Sequence, residues 1–524
     1  MKLLRTHSLV ASLCATLCFT AFAPAEVKPA ALFSDHMVLQ SGMAVPIWGT
    51  ADPGEKVAVS LNGKTVSATA DADGKWTVRL AKLKAGGPFE MTIAGRKPGD
   101  APIVVKDVLV GEVWLGSGQS NMEFYVSKQG PGHAPYGLLD EEKEIAAANY
   151  PQVRMFTVKD TKSYTPQAEA VGEWKVCSPE TVPNFSAVGY LFARDLNQAL
   201  KVPVGIILSA YGASTAEAWV PREALAADPQ LKPMLDKLDA RYSYFKDHPA
   251  ANDADAPPSP QTINSRGGRP GPLRDPAQDQ HQPTVLFNAM IHPLLPYAIR
   301  GAIWYQGESI VGGPGGLLLY HHVMETMVTQ WRGLWGEGNF PFYVVQLPGQ
   351  QNVSNNPLVR EEQAKILSLP NTGMAVVLDT SEAKNVHPHN KEPLGDRLSR
   401  IALANVYGQK IEYSGPVFAS AKVEGSAIRV RFTHAAGLTA KDGPLKWFQI
   451  ADADQKYVDA DAKIEGDSVV VSSPQVSAPV GVRYAWDNYP DTANLYNGAG
   501  LQAAPFRTDD WDAMPPIAAQ MTAK

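Results

Sequence analysis

Between residues 106 and 408 the chain repeats one pattern, a short and nearly unbroken apolar run followed by a stretch of helical periodicity. The apolar runs lie at 108–115, 204–208, 302–305, 342–347 and 374–378, and the helical spacing at 187–200, 285–297, 317–335, 357–369 and 392–407. A strand that is apolar at every position must be covered on both faces. Several such strands in series, each followed by a helix, predict a doubly wound parallel sheet, and so an α/β domain. One segment interrupts the order. Residues 248–284 are rich in Pro, Asp, Gln and Gly and read as a long surface loop inserted into the domain.

The flanks obey a different rule. Val57, Val59 and Leu61 alternate with polar residues, Asn62-Gly63 supplies a hairpin turn, and Trp76, Val78 and Leu80 alternate again. Residues 26–105 therefore predict a small β-sandwich. Residues 409–524 return to short alternating strands, as at 428–432 and 469–471, and predict a second β module. Ahead of both, Lys2 and Arg5 precede an apolar stretch over 9–22 and a small-residue site, Ala23-Pro24-Ala25. That order is a secretory signal peptide cleaved after Ala25, with export to the periplasm as the expectation and no membrane anchor. Losing Lys2 and Arg5 takes the net charge from −6 to −8, which argues against a nucleic-acid partner. Of three cysteines only Cys177 remains after residue 25, in a strand-like context that suits a packed thiol.

In an open α/β sheet ligands bind beyond the carboxyl ends of the strands. The residues just past each predicted strand are therefore informative. The first run leads into Gly116-Ser117-Gly118-Gln119-Ser120-Asn121-Met122, the second into Tyr211-Gly212, the third into Gln306-Gly307-Glu308, and the fifth toward His387-Pro388-His389. One sheet edge thus collects a serine, small residues with free amides, a glutamine, a glutamate and a histidine, the parts of a nucleophilic acyl-transfer site. Position 122 is Met, where a nucleophile elbow needs Gly, so Ser120 is not on an α/β-hydrolase turn. From spacing alone Ser120 is equally a turn serine, Gly212 a turn glycine and Gln306 a strand-end cap. The adjacent His321-His322 and the pair His387 and His389 form no standard metal-ligand spacing, and neither a metal nor another cofactor is expected.

These segments resemble the SGNH-type hydrolases, specifically the sialate O-acetylesterase family. The resemblance rests on the run from Gly111 to Glu123 containing Gly-Gln-Ser-Asn-Met, on Glu217-Ala218-Trp219, on 287–291, on Trp304-Tyr305-Gln306-Gly307-Glu308-Ser309, on Val386-His387-Pro388, and on 482–486 and 505–511. It spans about residues 30 to 511. It implies an SGNH-type esterase domain over 106–408 that removes O-acetyl groups from sugars of a glycan, sialic acid and plant hemicellulose both being open. It further implies Ser120 as nucleophile, His387 as general base, and Gly212 and Gln306 in the oxyanion hole. The family's acid ahead of the histidine is missing, since Lys384 and Asn385 stand there. Glu308 is the first candidate to orient His387 instead, ahead of Asp379, Glu382 or a backbone carbonyl, with a Ser120–His387 dyad as the remaining alternative. Trp114, Tyr211 and Trp219 are candidates to bind sugar, and Trp304 is expected in the core. The competing expectation is a catalytically inert glycan-binding protein on the same fold; a lipase or thioesterase is a third, without a long apolar lid segment to favour it.

Overall fold

The computed structural model describes residues 26–96, 101–130, 136–257, 272–310, 314–351, 353 and 355–511. The expected signal peptide, the middle of the 248–284 loop and the last residues of the C-terminal module lie outside them. The five predicted runs all fall in one sheet. Its order is Gly172–Cys177, Tyr150–Val158, Val204–Ala210, Ile103–Gly118, Gly301–Tyr305, Phe342–Val345 and Thr372–Ala375, parallel throughout except at the first strand. The chain is thus α/β with a doubly wound parallel sheet and flanking all-β sheets. Periodicity does not reveal Tyr150–Val158. Its first three residues are polar or exposed, and only its second half carries the apolar run.

Side-chain alternation along the central strand feeds two separate cores. Val113 and Leu115 belong to one apolar cluster, and Trp114 between them belongs to the other. The helix Tyr320–Trp335 covers the first face through Met327, Val328 and Trp331. The helices Ala187–Leu200 and Glu392–Asn405 cover the second. Those two approach closely enough that a Cβ on Gly395 would stand 2.5 Å from Leu191 Cβ. The expected helix over 285–297 is instead a short π turn, Phe287–Ile291, followed by a 3₁₀ turn, Phe287 to Ile291 being fully buried. Pro293 and Pro296 deny a longer helix its backbone donors.

The expected boundary at 105/106 falls inside a single strand. Ile103–Gly118 pairs at its start with Gly86–Ala94 of the N-terminal module and at its end with the parallel strands of the central sheet. At the other end, Arg360 ties the C-terminal module to the central sheet. Its buried guanidinium donates to Leu347 O (2.9 Å), Pro348 O (3.0 Å), Asp487 O (2.8 Å) and Asn488 O (3.0 Å). Four carbonyls satisfy a buried cation that would otherwise be costly.

Register decides where the chemistry stands. Gly118 lies opposite Ala210 on one side and Tyr305 on the other. The segments leaving those three positions, Gln119-Ser120, Tyr211-Gly212 and Gln306, therefore start side by side. Gly118 has φ +138°, and a Cβ there would stand 2.1 Å from Tyr305 O. Gly118→Ala is expected to destabilise by about 3 kcal/mol or more, from strain and clash together. Gly338→Ala, at φ +71° with open space around it, is expected to cost only about 1 kcal/mol. Denaturant unfolding of the two variants side by side checks the contrast.

Candidate active site

Ser120 opens a four-residue helix, Ser120–Glu123, directly after the central strand. The turn is pinned from beneath, because Ser186 Oγ donates to Met122 O (2.6 Å) and accepts from Gly189 N (3.0 Å), capping the helix Ala187–Leu200. His387 comes from the loop after the last strand. Its backbone N–H donates to Asn385 Oδ1 (3.0 Å) while Asn385 Nδ2 donates to His387 O (2.8 Å) and to Glu382 (3.0 Å). The two side chains meet, His387 Nε2 lying 2.7 Å from Ser120 Oγ. That is hydrogen-bonding distance for proton transfer from hydroxyl to imidazole. Burial, then the nearby charges of Lys391 and His389, pushes the His387 pKa down to about 4. The imidazole is therefore a neutral acceptor over most of the pH range.

Gly212 stands beside the pair. A Cβ on it would lie 3.7 Å from Ser120 Cβ and 3.2 Å from Glu123 Oε2. Glu123 is only 9% exposed, and its carboxyl lies against Gly212. Burial, and then the charge of Asp160, lifts its pKa to about 7. Tyr211 is half-buried next to Gly212, and its hydroxyl accepts from Lys162 Nζ (2.5 Å).

The other expected residues stand elsewhere. Gln306 is fully buried, and its amide nitrogen donates to Ser214 O and Ser309 O (3.1 Å each) while Tyr320 donates to its Oε1 (2.9 Å). Both amide hydrogens are spent on carbonyls, so Gln306 has none for an oxyanion. Trp114 and Trp219 are fully buried, their indoles donating to Tyr407 and Ser214 hydroxyls, and belong to the cores with Trp304. Size and strand-end position made them candidates, but the faces they occupy turn away from solvent. Glu308 does not touch His387. It accepts from Asn121 Nδ2 at 2.5 Å. Asp379 is paired with Arg397 and Tyr496, and Glu382 with His389 and Asn385. Among the described residues no hydrogen bond reaches His387 Nδ1.

Three groups at the site carry no role in the sequence reading. Asn121 and Glu123 stand within the motif around Ser120, yet nothing in spacing says which way they face. Lys391, 1% exposed, donates to Asn121 Oδ1 (2.6 Å) and lies four residues beyond His387, in a stretch that reads as a polar helix start. His321 pairs with Glu362 and His322 with Asp228, and no cluster of three or more metal-ligating residues occurs among the described residues.

A hydroxyl and an imidazole joined at the carboxyl edge of a doubly wound parallel sheet are the parts of a nucleophilic acyl-transfer site, and with the matches that follow they mark the chain as a carboxylic ester hydrolase of SGNH-type fold. A carbohydrate esterase model, sialic acid-specific acetylesterase, matches residues 280–404. A solved carbohydrate acetylesterase from Xanthomonas citri is 36% identical, with a TM-score of 0.78 over 93% of this chain and 100% of that one. The sialate O-acetylesterase of Mus musculus is 28% identical over 94% of both chains, and that of Homo sapiens 27% over 91% of both. The chain belongs to the carbohydrate acetylesterases and is similar to the sialate O-acetylesterases.

Removing the Gln306 amide leaves the Ser214 and Ser309 carbonyls short of a donor, while the Tyr320 hydroxyl keeps the Gln306 backbone carbonyl at 2.9 Å. Gln306→Leu is expected to lose about 1–3 kcal/mol of stability in denaturant unfolding. Wild-type stability with turnover abolished would instead return Gln306 to the oxyanion site.

Proposed function

We propose that the chain is a serine esterase that removes O-acetyl groups from the sugars of an oligo- or polysaccharide after export through its first 25 residues. The observation that carries this reading is the 2.7 Å contact between His387 Nε2 and Ser120 Oγ at the carboxyl edge of the sheet. His387 takes the Ser120 proton as the oxygen attacks the acetyl carbonyl. Charge developing on the carbonyl oxygen is met by the backbone N–H groups of Ser120 and Gly212. The imidazolium then protonates the departing sugar oxygen, leaving acetyl-Ser120. Water, deprotonated by His387, releases acetate and restores the hydroxyl. No partner holds His387 Nδ1, so the pair works as a dyad within the described residues. The carboxylates Glu123 and Asp160 suit acceptors for sugar hydroxyls, with Tyr211 and Lys162 on the same side.

Ser120→Ala is expected to lower acetate release by more than about 10³-fold, as removing a catalytic nucleophile does elsewhere. The melting temperature should stay near wild type, since only a hydroxyl in a turn is lost. A folded variant with near-wild-type turnover would remove Ser120 from the mechanism. Acetate release from a panel of acetylated sialosides and acetylated hemicelluloses separates the two sugar classes; no release from any of them leaves a glycan-binding protein. On the best substrate the acid limb of kcat/KM is expected well below pH 6.5. A base must be neutral to act, and burial holds the His387 pKa near 4. A limb at pH 6.5 or above would show an imidazole without that burial.

A further inference from the structure

We infer that Asn121, Glu308 and Lys391 form a positioning unit that seats the loop of the general base on the turn of the nucleophile. The inference rests on the Ser120–His387 reading and explains how a site without a carboxylate on the imidazole keeps its geometry.

Asn121 follows Ser120, and Val386 precedes His387. Asn121 Nδ2 donates to Val386 O at 2.9 Å. One side-chain amide therefore links the residues that flank the reacting pair. The other hydrogen of the same nitrogen goes to Glu308 Oε1 at 2.5 Å, and Asn121 Oδ1 accepts from Lys391 Nζ at 2.6 Å. A planar amide held this way has one orientation. Turning it by 180° would set its oxygen against a carbonyl and a carboxylate and its nitrogen against an ammonium group. Three segments thus fix one plane: the edge after Gly301–Tyr305, the loop before His387, and the start of the helix Glu392–Asn405.

The charges in this unit are not explained by stability. A buried ionic network gains little over apolar residues of the same volume. Here the two ions meet through the amide. Glu308 Oε2 is buried with no hydrogen-bond partner among the described residues, and burial raises the carboxyl pKa. Burial likewise lowers Lys391 to about 7, while Glu308 and Glu382 hold it up. Such a costly arrangement fits a site where direction matters more than stability.

The cation also faces the base. The groups around His387 are Lys391 and His389, the Ser120 hydroxyl, and the Tyr136 ring at 6.2 Å. Glu382 is engaged by Asn385 and His389, and Glu308 stands behind Asn121. Lys391 therefore disfavours imidazolium in the resting enzyme, and its removal should raise the pH at which the base titrates.

The test is steady-state acetate release by the full chain across pH, with wild type beside Asn121→Ala, Lys391→Met and Glu308→Gln. Asn121→Ala is expected to lower kcat by about 100-fold with KM within about threefold of wild type, the signature of a reacting pair set out of line. Lys391→Met should lower kcat and move the acid limb of kcat/KM to higher pH, a shift that a merely structural residue would not produce. Glu308→Gln keeps the volume but replaces the charge-assisted acceptor of Asn121 with a weaker neutral one and removes the carboxylate facing Lys391, and it serves if the other two fail to fold. It should keep KM and lower kcat. Folded variants with wild-type kcat and an unmoved acid limb would overturn the positioning unit. Wild type that releases no acetate would overturn the esterase reading itself.

Discussion

Backbone pairing on both sides of Ile103–Gly118 sets the positions of Ser120, Asn121, Gly212 and Glu308. Parallel strands in register deliver three chain segments to one edge at the same height, with Gly118 between Ala210 and Tyr305. Ser120 and Gly212 stand two residues past those positions, and Asn121 and Glu308 three, so each pair needs only a short turn to become neighbours. None of these placements depends on a long flexible loop. His387 and Lys391 arrive from a distance, on a segment that carries its own bracing through Asn385 and Glu382.

Much of this order is legible in the amino-acid sequence. All five apolar runs are strands of one sheet, because a run of four to eight apolar residues is too short for a buried helix and long enough for a strand covered on both faces. The helix over 187–200 is equally plain, with Ser186 at its cap and an amphipathic face. The edge that gathers Ser120, Gly212 and His387 emerges from the residues just past each strand. The segment 285–297 departs from its expected helix because apolar spacing alone does not register that two prolines remove donors. Tyr150–Val158 escapes the pattern because its exposed first half hides it.

Side chains are harder to read than the backbone. Gln306, Trp114 and Trp219 sit where sequence motifs predict function, yet each faces inward and satisfies buried partners. Whether a strand-end residue turns toward ligand or toward core depends on a register parity that no local pattern encodes. Lys391 shows the opposite case. A lysine at the start of a polar helix reads as solvated, and only tertiary contact with Asn121 marks it as buried. The expectation for Glu308 is close in space and wrong in partner, since the carboxylate meets the amide beside the nucleophile instead of the imidazole.

The long strand has a consequence for how the chain can be divided. Composition changes near residue 105, and a truncation made there would look like a clean separation of modules. Ile103–Gly118 crosses that point without a break, lending its first half to Gly86–Ala94 and its second to the central sheet. Severing it would strip a ladder of partners from both sheets at once. The N-terminal β structure is thus less an attached domain than an extension of the catalytic sheet's own middle strand. No cut near residue 105 leaves both sheets whole, and a fracture begun on one side would run into the other.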